Sequence, residues 1–352
     1  MGTSSNILAV LAAAAVSAAP VAGQTKAAIT LADAIARADK AQPRVLQAAN
    51  AITTADARLR SAKGAYLPNL SLSSSAGQFY SEGQRIDPST GQLSTSNSTN
   101  TSVNGSLSAG VELFDGFRRG AESRSARAAR ESAVERYQDA RFQQELTTTN
   151  QFFDALAAVQ LVRVREASVR RADEQLKVSI AKLRAGAAIR SDSLRSLVTL
   201  GNSQVQELNA RTQLASAEAN LGRLIGIEGP IEAIDDSSFY RITAELDTAA
   251  LRVEALNRSP QVLAADASAR AALATIGVSR AGYWPSLTLN GSSSVNAAEQ
   301  NDYKVLQQRQ ATLGVSWQIF NRFTREQNIA NARSNAEIAE ANSAEARRLV
   351  VA

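Results

Sequence analysis

The sequence contains no cysteine and no histidine, and only seven of its 352 residues are proline. Without cysteine and histidine the chain can form no disulfide, no Cys or His zinc site and no histidine-dependent catalytic triad. Aromatic residues make up only 5% of the chain, whereas alanine is abundant. This composition is typical of long helices that pack closely through small side chains. It favours an extended helical protein over a large globular core.

The chain is basic, with a formal charge of +5 and a pI near 9.7. A basic balance can indicate a nucleic acid or an anionic surface as partner. Between Arg118 and Arg171, however, the arginines are interleaved with Glu and Asp along a helical pattern. Mixed charges in this pattern are typical of a solvated helix face. We therefore expect no nucleic acid partner.

Residues 1–23 have the form of a secretory signal peptide. Ile7–Val16 is an apolar run, and small residues follow it up to Gly23, after which we expect cleavage. The run is too short for a transmembrane helix, and no later segment reaches about 18 consecutive apolar residues. If the mature protein spans a membrane, it must use strands.

The chain carries an internal duplication. Residues 66–72 match residues 283–289 at an offset of 217, and residues 113–117 match residues 319–323 at an offset of 206. A match this long, with Pro, aromatic and apolar positions kept, indicates a repeated structural unit. The two offsets differ by 11 residues, and the polar composition of Ser81–Thr101 places this length change there, in a predicted loop.

Residues 117–226 contain no proline and can therefore form very long helices. Gly186 predicts a turn within this stretch, and we expect Ser191 or Asp192 to cap the returning helix. In the returning helix, apolar or small residues recur every seven positions and predict a coiled-coil seam. Its members are Leu194, Gly201, Leu208, Ala215 and Gly222, interleaved with Val198, Val205, Thr212 and Ala219.

After each proline-containing junction the sequence period changes from helical to two. Odd positions in residues 103–113 are apolar or small and even ones are polar or Gly, and residues 310–319 repeat this alternation. With partner strands that begin at Leu70 and Leu287, the pattern predicts two hairpins with strands of about ten residues, enough to cross a bilayer. The residues predicted to face lipid are Leu70, Leu72, Val103, Leu107, Val111, Leu113, Leu287, Leu289, Leu313, Val315, Trp317 and Ile319.

Four strands are too few to close a barrel by themselves. Unpaired backbone groups at a sheet edge in lipid cost on the order of several kcal/mol each. We therefore expect the protein to oligomerise, so that strands from neighbouring copies close the sheet.

The sequence resembles the TolC-type outer-membrane efflux protein family over nearly all of the mature chain. The resemblance runs from Thr30 through both proline-anchored junctions to the strand-to-helix junction at Asp115 and Gly116. It implies a membrane α+β fold in which four strands from each subunit of a homotrimer close a 12-stranded transmembrane β-barrel. The barrel would continue into a long periplasmic α-helical coiled-coil barrel.

The resemblance also implies location in the cell outer membrane, no cofactor and no enzyme activity. The protein would be a passive exit duct for drugs, other small molecules or secreted proteins. Cargo would arrive from an inner-membrane pump through a periplasmic adaptor. The implied docking tip for the adaptor is the helix turn formed by Ala185, Gly186, Ala187, Ala188, Ile189, Ser191 and Asp192.

This layout predicts a first repeat at 24–226, a connector at 227–247 that packs outside the helical barrel, and a second repeat at 248–352. The first repeat holds a β-hairpin at 69–113 and a long helical hairpin at 117–226, and the second holds a β-hairpin at 286–320. Adding 206 to 226 puts the end of a full second repeat at 432, about 80 residues past Ala352. We expect a C-terminally truncated member or a fragment. Alone, this form should neither assemble stably nor support efflux.

Two alternatives remain open from the sequence. One is a periplasmic coiled-coil scaffold or adaptor-like protein with a small soluble sheet. The other is an enzyme, because Glu112, Asp115, Asp235 and Asp236 are carboxylates at predicted element ends. No phosphate-binding loop, supported carboxylate pair or metal-ligand spacing accompanies them.

Overall fold

The computed structural model describes residues 26–86, 89, 91–236, 247–299 and 302–351. The predicted signal peptide and residues 237–246 of the predicted connector lie outside the described residues. The chain divides into two units. One consists of residues 1–42 and 144–242, and the other of residues 43–143 and 243–352.

Long helices and two β-hairpins make up most of the described chain. The helices are α1 (Leu31–Ala41), α2 (Pro43–Gly64), α3 (Arg118–Arg184), α4 (Arg190–Ile225), α5 (Thr248–Arg258), α6 (Pro260–Arg280) and α7 (Thr324–Val351). The strands are β1 (Ala27–Ile29), β2 (Asn69–Ile86), β3 (Leu93–Phe114), β4 (Ile231–Ala233), β5 (Ser286–Ala298) and β6 (Leu306–Ser316). Helix α3 has 67 residues, as its lack of proline permits.

The first unit has a small core around a two-stranded parallel sheet. Strands β1 and β4 pair with Ala27 opposite Ile231, so part of the predicted connector is a strand docked on the N-terminal strand. Helix α1 follows β1, and its cap residue Thr30 accepts a hydrogen bond from the Asp33 backbone N–H. The buried core side chains are Ile29, Ala34, Ala38, Phe152, Ala155, Leu221, Ile225, Ile231 and Ala233.

The second unit contains a four-stranded sheet in the order β2-β3-β5-β6. All three strand pairs are antiparallel, and the central pair, β3 with β5, joins the two repeats. Both strand-to-helix junctions turn through two successive left-handed residues, Gly116 and Phe117 in the first repeat and Arg322 and Phe323 in the second. The duplication in the sequence is therefore also a duplication of backbone conformation.

The prediction of a loop over Ser81–Thr101 is wrong. Strand β2 continues to Ile86 and β3 begins at Leu93, and the two stay paired without a break from Asn69↔Gly110 to Ile86↔Leu93. The first hairpin therefore has strands of 18 and 22 residues rather than about ten. Serine and threonine can occupy paired strands, and a polar composition here reflects water on both faces of the hairpin rather than irregular backbone.

Within the described residues, one helical stretch, Thr248–Tyr283, is long and apolar enough to cross a membrane by length and composition alone. The core helix of a soluble protein can have the same composition, so this is weak evidence. Helix α6 in this stretch packs along α7, and it buries Val262, Ala264 and Ala267. Asp266 on α6 accepts hydrogen bonds from Arg347, at 2.6 Å, and from Ser343. Packing within the chain buries 22% of the most apolar part of this stretch.

Candidate functional site

One face of the four-stranded sheet carries an exposed apolar band. Cross-strand partners share a face, and the register aligns Val111 with Leu289 and Leu289 with Leu313. The same face carries the pair of Leu72 with Leu107 farther along the first hairpin. Leu72 is 81% exposed, and the other leucines of this band are also exposed. A monomeric soluble protein rarely leaves such a contiguous apolar surface in water, so this face requires a covering environment.

The opposite face of the same sheet is polar, and the row nearest the helices consists of Glu112, Thr288 and Gly314, of which Glu112 is charged. Its hydroxyl groups form cross-strand pairs, with Ser71 Oγ 2.6 Å from Ser108 Oγ and Ser73 Oγ 2.8 Å from Ser106 Oγ. The next three rows are uncharged and consist of Asn69, Gly110, Asn290 and Thr312, then Ser71, Ser108, Ser292 and Gln310, then Ser73, Ser106, Ser294 and Gln308. Neutral hydroxyl and amide groups suit contact with water and provide no strong site for an ion.

Three of the predicted lipid-facing residues lie elsewhere than expected. A β-bulge between Glu112 and Phe114 makes Leu113 the extra residue, and Phe114 is in register with Leu287 instead. Beyond the bulge, each strand residue points to the face opposite to the one that counting odd and even positions predicts. The sequence alternation does not show that a bulge is present. Trp317 and Ile319 follow the last residue of β6, so in this structure they are not strand residues. The other ten, Leu113 included, lie in strands.

Aromatic side chains cluster where the strands meet the helices. Phe117 makes edge-to-face contacts with Phe114, at 5.3 Å between ring centroids, and with Trp284, at 6.1 Å. In the second repeat Phe320 and Phe323 form an equivalent pair at 5.4 Å. A belt of aromatic side chains at one end of a sheet is typical of a membrane–water interface. The duplicated aromatic positions were visible in the sequence, but the contacts between their rings were not.

Two arginine residues at equivalent positions of the repeats, in the first turns of α3 and α7, stack on tyrosines that precede β2 and β5. The Arg119 guanidinium lies 4.9 Å from the Tyr66 ring centroid, and the Arg325 guanidinium lies 4.0 Å from that of Tyr283. Arg325 also donates to the carbonyl of Gly282 at 3.2 Å. These arginines were not singled out from the sequence, because their tyrosine partners are about 40 or more residues away along the chain.

The carboxylates considered for an enzyme have structural partners. Asp115 Oδ2 accepts from the Arg119 backbone N–H at 2.7 Å and from Arg119 Nε at 3.0 Å, so it caps the start of α3. Glu112 accepts from Arg118 Nη2 at 2.8 Å. Asp235 is 3.5 Å from Gln160 Nε2, and both Asp235 and Asp236 have partners in the structure. None of these contacts assembles a catalytic pair.

The helix-hairpin tip is an exposed turn of five residues between α3 and α4. Gly186 has φ +75°, the Gly186 N–H donates to Leu183, and the Ala187 N–H donates to Lys182. These bonds form a Schellman motif, which ends α3. The expectation of a cap by Ser191 or Asp192 is wrong, because α4 begins after Ile189, which makes no side-chain cap bond. Of the predicted tip residues, Ser191 and Asp192 lie inside α4, whereas Ala185, Gly186, Ala187, Ala188 and Ile189 form the turn.

The predicted heptad seam of α4 does not pack inside the chain along most of its length. Leu194, Val198, Val205 and Leu208 are all more than half exposed. Other α4 positions contact α3, for example Ser196, whose Oγ is 2.9 Å from that of Ser179. The seam is therefore a free apolar helix face, available to a further helix.

These features define a class of protein. The sheet has an apolar face, a polar face and a group of aromatic side chains at one end, and a long helix follows that end. These are the features of an outer-membrane channel subunit whose strands span the membrane.

The comparisons with known proteins give the family. The family model described as outer membrane efflux protein matches residues 25–227 and 251–352, and the chain belongs to that family. Family membership gives its location, the cell outer membrane with a periplasmic extension. The predicted TolC-type fold is confirmed.

Two curated relatives and one solved structure illustrate the similarity. The chain is 27% identical to the pyoverdine export outer membrane protein OpmQ of Pseudomonas putida and 25% identical to protein CyaE of Bordetella pertussis. Each match covers 65% of this chain and 49% of the relative, so the matched part spans about half the relative's length. The crystal structure of the Campylobacter jejuni CmeC outer membrane channel superposes with a TM-score of 0.69 at 18% identity, over 90% of this chain and 67% of that one.

Proposed function

We propose that this chain is a subunit of the outer-membrane exit duct of a tripartite efflux or type I secretion system. Three copies would close a 12-stranded barrel around the polar face and direct the apolar band to lipid. The single observation that supports this most strongly is the two-faced sheet with free outer edges. The duct would receive cargo from a periplasmic adaptor and an inner-membrane pump, and it would catalyse no reaction.

The polar face supports passive conduction of varied cargo. A conduction pathway must bind its cargo weakly enough to release it. Apart from Glu112, which accepts from Arg118, the rows near the helices consist of serine, threonine, asparagine, glutamine and glycine and present hydrogen-bonding groups without charge. Such a lining discriminates little between drugs, other small molecules and unfolded polypeptides, and the relative OpmQ is named for export of a small molecule.

The alternative, a periplasmic scaffold with a soluble sheet, requires a protein layer over the apolar band. Among the described residues of the second unit, Leu72, Leu313 and Val315 remain exposed on that face. Membrane fractionation separates the two proposals, because a scaffold would appear in the soluble periplasmic fraction.

The absence of cysteine in this chain allows a direct test of the two faces, made, like the other assembly and transport tests below, in the full-length protein. We expect Ser106→Cys to react with a water-soluble maleimide at least roughly tenfold faster than Leu107→Cys in intact membranes, because successive strand residues point to water and to lipid in turn. The two positions are neighbours on β3 and therefore differ in face but hardly in depth. Equal labelling rates, or recovery of the protein in the soluble fraction, would contradict the proposed channel.

The exposed turn is the proposed adaptor-docking tip. A Cβ at Gly186 would meet no atom within 4 Å, so Gly186→Trp adds bulk to the tip without displacing the chain's own atoms. We expect this variant to lose most cross-linking to the host's periplasmic adaptor and most drug resistance, while the protein level in the outer membrane stays the same.

Gly186→Ala is the matched control for this tip variant. It carries the same left-handed backbone penalty, about 1 kcal/mol, with almost no added bulk. Unchanged adaptor cross-linking and unchanged resistance in Gly186→Trp would refute docking at this turn. Equal losses in both variants would mean that backbone strain, not bulk at the docking surface, is responsible.

A further inference from the structure

The two outer strands of the described sheet each have one unpaired edge. The sheet order β2-β3-β5-β6 leaves one edge of β2 and one edge of β6 without a strand partner. Such edges pair readily with a complementary strand. The internal duplication provides a way to infer which strand this is and how it aligns.

The duplication predicts strand registers correctly inside the chain. Offsets of 217 for β2 onto β5 and 206 for β3 onto β6 come from the sequence alone. They convert the first-hairpin pair Asn69↔Gly110 into Ser286↔Ser316, and Ser71↔Ser108 into Thr288↔Gly314. Both converted pairs are present in the second hairpin. The repeats therefore share one register as well as one sequence pattern.

The same conversion can be applied to the contact between the repeats. In β3–β5 pairing, Val111 is opposite Leu289 and Ser106 is opposite Ser294. Adding 206 to the number of each β3 residue gives a residue of β6 or of the segment that follows it, and subtracting 217 from the number of each β5 residue gives a β2 residue. The two pairs become Trp317 opposite Leu72 and Thr312 opposite Gly77, which is a pairing of β6 with β2. Because β2 and β6 lie at opposite edges of the sheet, β2 must belong to another copy.

We propose that β6 pairs antiparallel with β2 of a second copy of this chain, with Thr312 opposite Gly77 and Trp317 opposite Leu72. This inference rests on the proposed function, which already makes a second copy the partner, and it adds the residue-by-residue alignment of the closing seam. The alignment keeps the faces continuous, since Leu313 would be opposite Ala76 on the apolar side and Thr312 opposite Gly77 on the polar side.

The end of β6 supports this alignment independently. In the first repeat, Val111 and Phe114 remain strand residues by pairing with Leu289 and Leu287 of β5. Their counterparts Trp317 and Phe320 lie beyond the end of β6. The corresponding partners on the second copy would be Leu72 and Leu70, which are exposed on β2. Pairing would extend β6 and bring Trp317 to the lipid face, as the sequence pattern predicted.

The charges of the two edges also match in this register. Arg309 is the only charged residue in β5 and β6, and its row within the chain, Ser293, Leu107 and Leu72, contains no carboxylate. In the proposed seam Arg309 is opposite Tyr80 and diagonal to Glu82. The Tyr80 hydroxyl already lies 3.4 Å from Glu82 Oε2 on that edge. A guanidinium there would contact an aromatic face and a carboxylate together.

Cysteine pairs on the polar face test the register. In the protein expressed in its host's outer membrane, Thr312→Cys with Gly77→Cys should form intermolecular disulfides on mild oxidation. The yield should exceed that of Thr312→Cys with Ser75→Cys or with Phe79→Cys by roughly fivefold or more, because a shift of two residues carries the Cα atoms beyond about 7 Å. A Cβ at Gly77 meets no atom within 4 Å, so the variant is tolerated.

A charge exchange tests the proposed Arg309 contact. Arg309→Glu should lower the dissociation temperature of the oligomer by a few degrees, on the order expected for one lost interaction, and adding Glu82→Arg should restore it. The double variant Arg309→Gln with Glu82→Gln is the neutral control. Its dissociation temperature should fall because the attraction is lost, but by less than in Arg309→Glu, where two carboxylates also repel each other.

The outcomes distinguish this inference from the channel proposal. Dominant cross-linking in the pair that contains Ser75→Cys or Phe79→Cys refutes the register but leaves a closed barrel. Failure of the charge exchange to restore stability refutes the Arg309 contact. Absence of intermolecular cross-links in all three pairs, with the protein still in the membrane, refutes β6–β2 pairing. Recovery of the protein as a soluble monomer refutes the exit duct itself.

Discussion

Replacing Leu107 with arginine is expected to remove nearly all assembled protein from the outer membrane. Leu107 lies within the apolar band on the inner strand β3, opposite Leu72, whereas Arg309 of the same row lies on the edge strand β6, where the proposed seam would provide Tyr80 and Glu82 as partners. Arginine on the lipid face of a transmembrane strand costs about 2–4 kcal/mol near the bilayer midplane. That cost corresponds to a roughly 30- to 900-fold lower ratio of assembled to unassembled chains. The amount of heat-stable oligomer in the outer-membrane fraction, by electrophoresis without boiling, measures the effect.

Ser106→Arg is the matched control, because Ser106 is the adjacent residue on the polar face. Its counterpart row is Ser73 and Ser294, both of which face the proposed water-filled interior. Assembly should therefore remain close to that of the unaltered protein, while the added charges reduce passage of cationic cargo. Equal assembly of the Leu107→Arg and Ser106→Arg proteins would show that the apolar face does not contact lipid.

The second large effect is expected at the first strand-to-helix junction. Gly116 has φ +66°, and a Cβ there would lie 2.6 Å from Trp284 Cβ and 2.8 Å from the Ala281 carbonyl oxygen. Gly116→Ala therefore combines a left-handed backbone penalty of about 1 kcal/mol with an overlap that costs about 1–3 kcal/mol. We expect the dissociation temperature of the oligomer to fall by roughly 5–15 °C.

Gly186→Ala again serves as control for this junction variant. Gly186 has a similar φ of +75°, but a Cβ there meets no atom within 4 Å. Only the backbone penalty should remain, so the dissociation temperature should change by no more than a few degrees. If the two alanine variants lose equal stability, the close approach of Trp284 to the junction contributes nothing.

The sequence predicted most of the fold because its strongest signals are local or repeated. A proline-free stretch predicted the long helices, and proline marks the first residues of α2 and α6. Alternation with a period of two predicted the hairpins that begin at Asn69 and Ser286. The loop prediction over Ser81–Thr101 failed because composition reports solvent contact, and a paired strand with water on both faces has the composition of a loop.

The candidate site was predicted in its residue types and only in part in its geometry. Ten of the 12 predicted lipid-facing residues lie in strands, Leu113 among them at a bulge, whereas Trp317 and Ile319 follow the end of β6. A bulge forms only where two strands pair, and a strand ends where its partner ends. Neither feature can be read from one segment of the sequence, because both depend on a second segment that is distant along the chain.

The amino-acid sequence by itself determined the duplication, the helical and strand segments, and the separation of apolar from polar positions, because each follows from residue type and spacing along the chain. Only the tertiary structure decided the strand order, the pairing of β1 with β4, and the stacking of Arg119 on Tyr66 and Arg325 on Tyr283. These contacts join distant residues. Their formation depends on which surfaces become neighbours when the helices and hairpins pack, and spacing along the chain does not specify this.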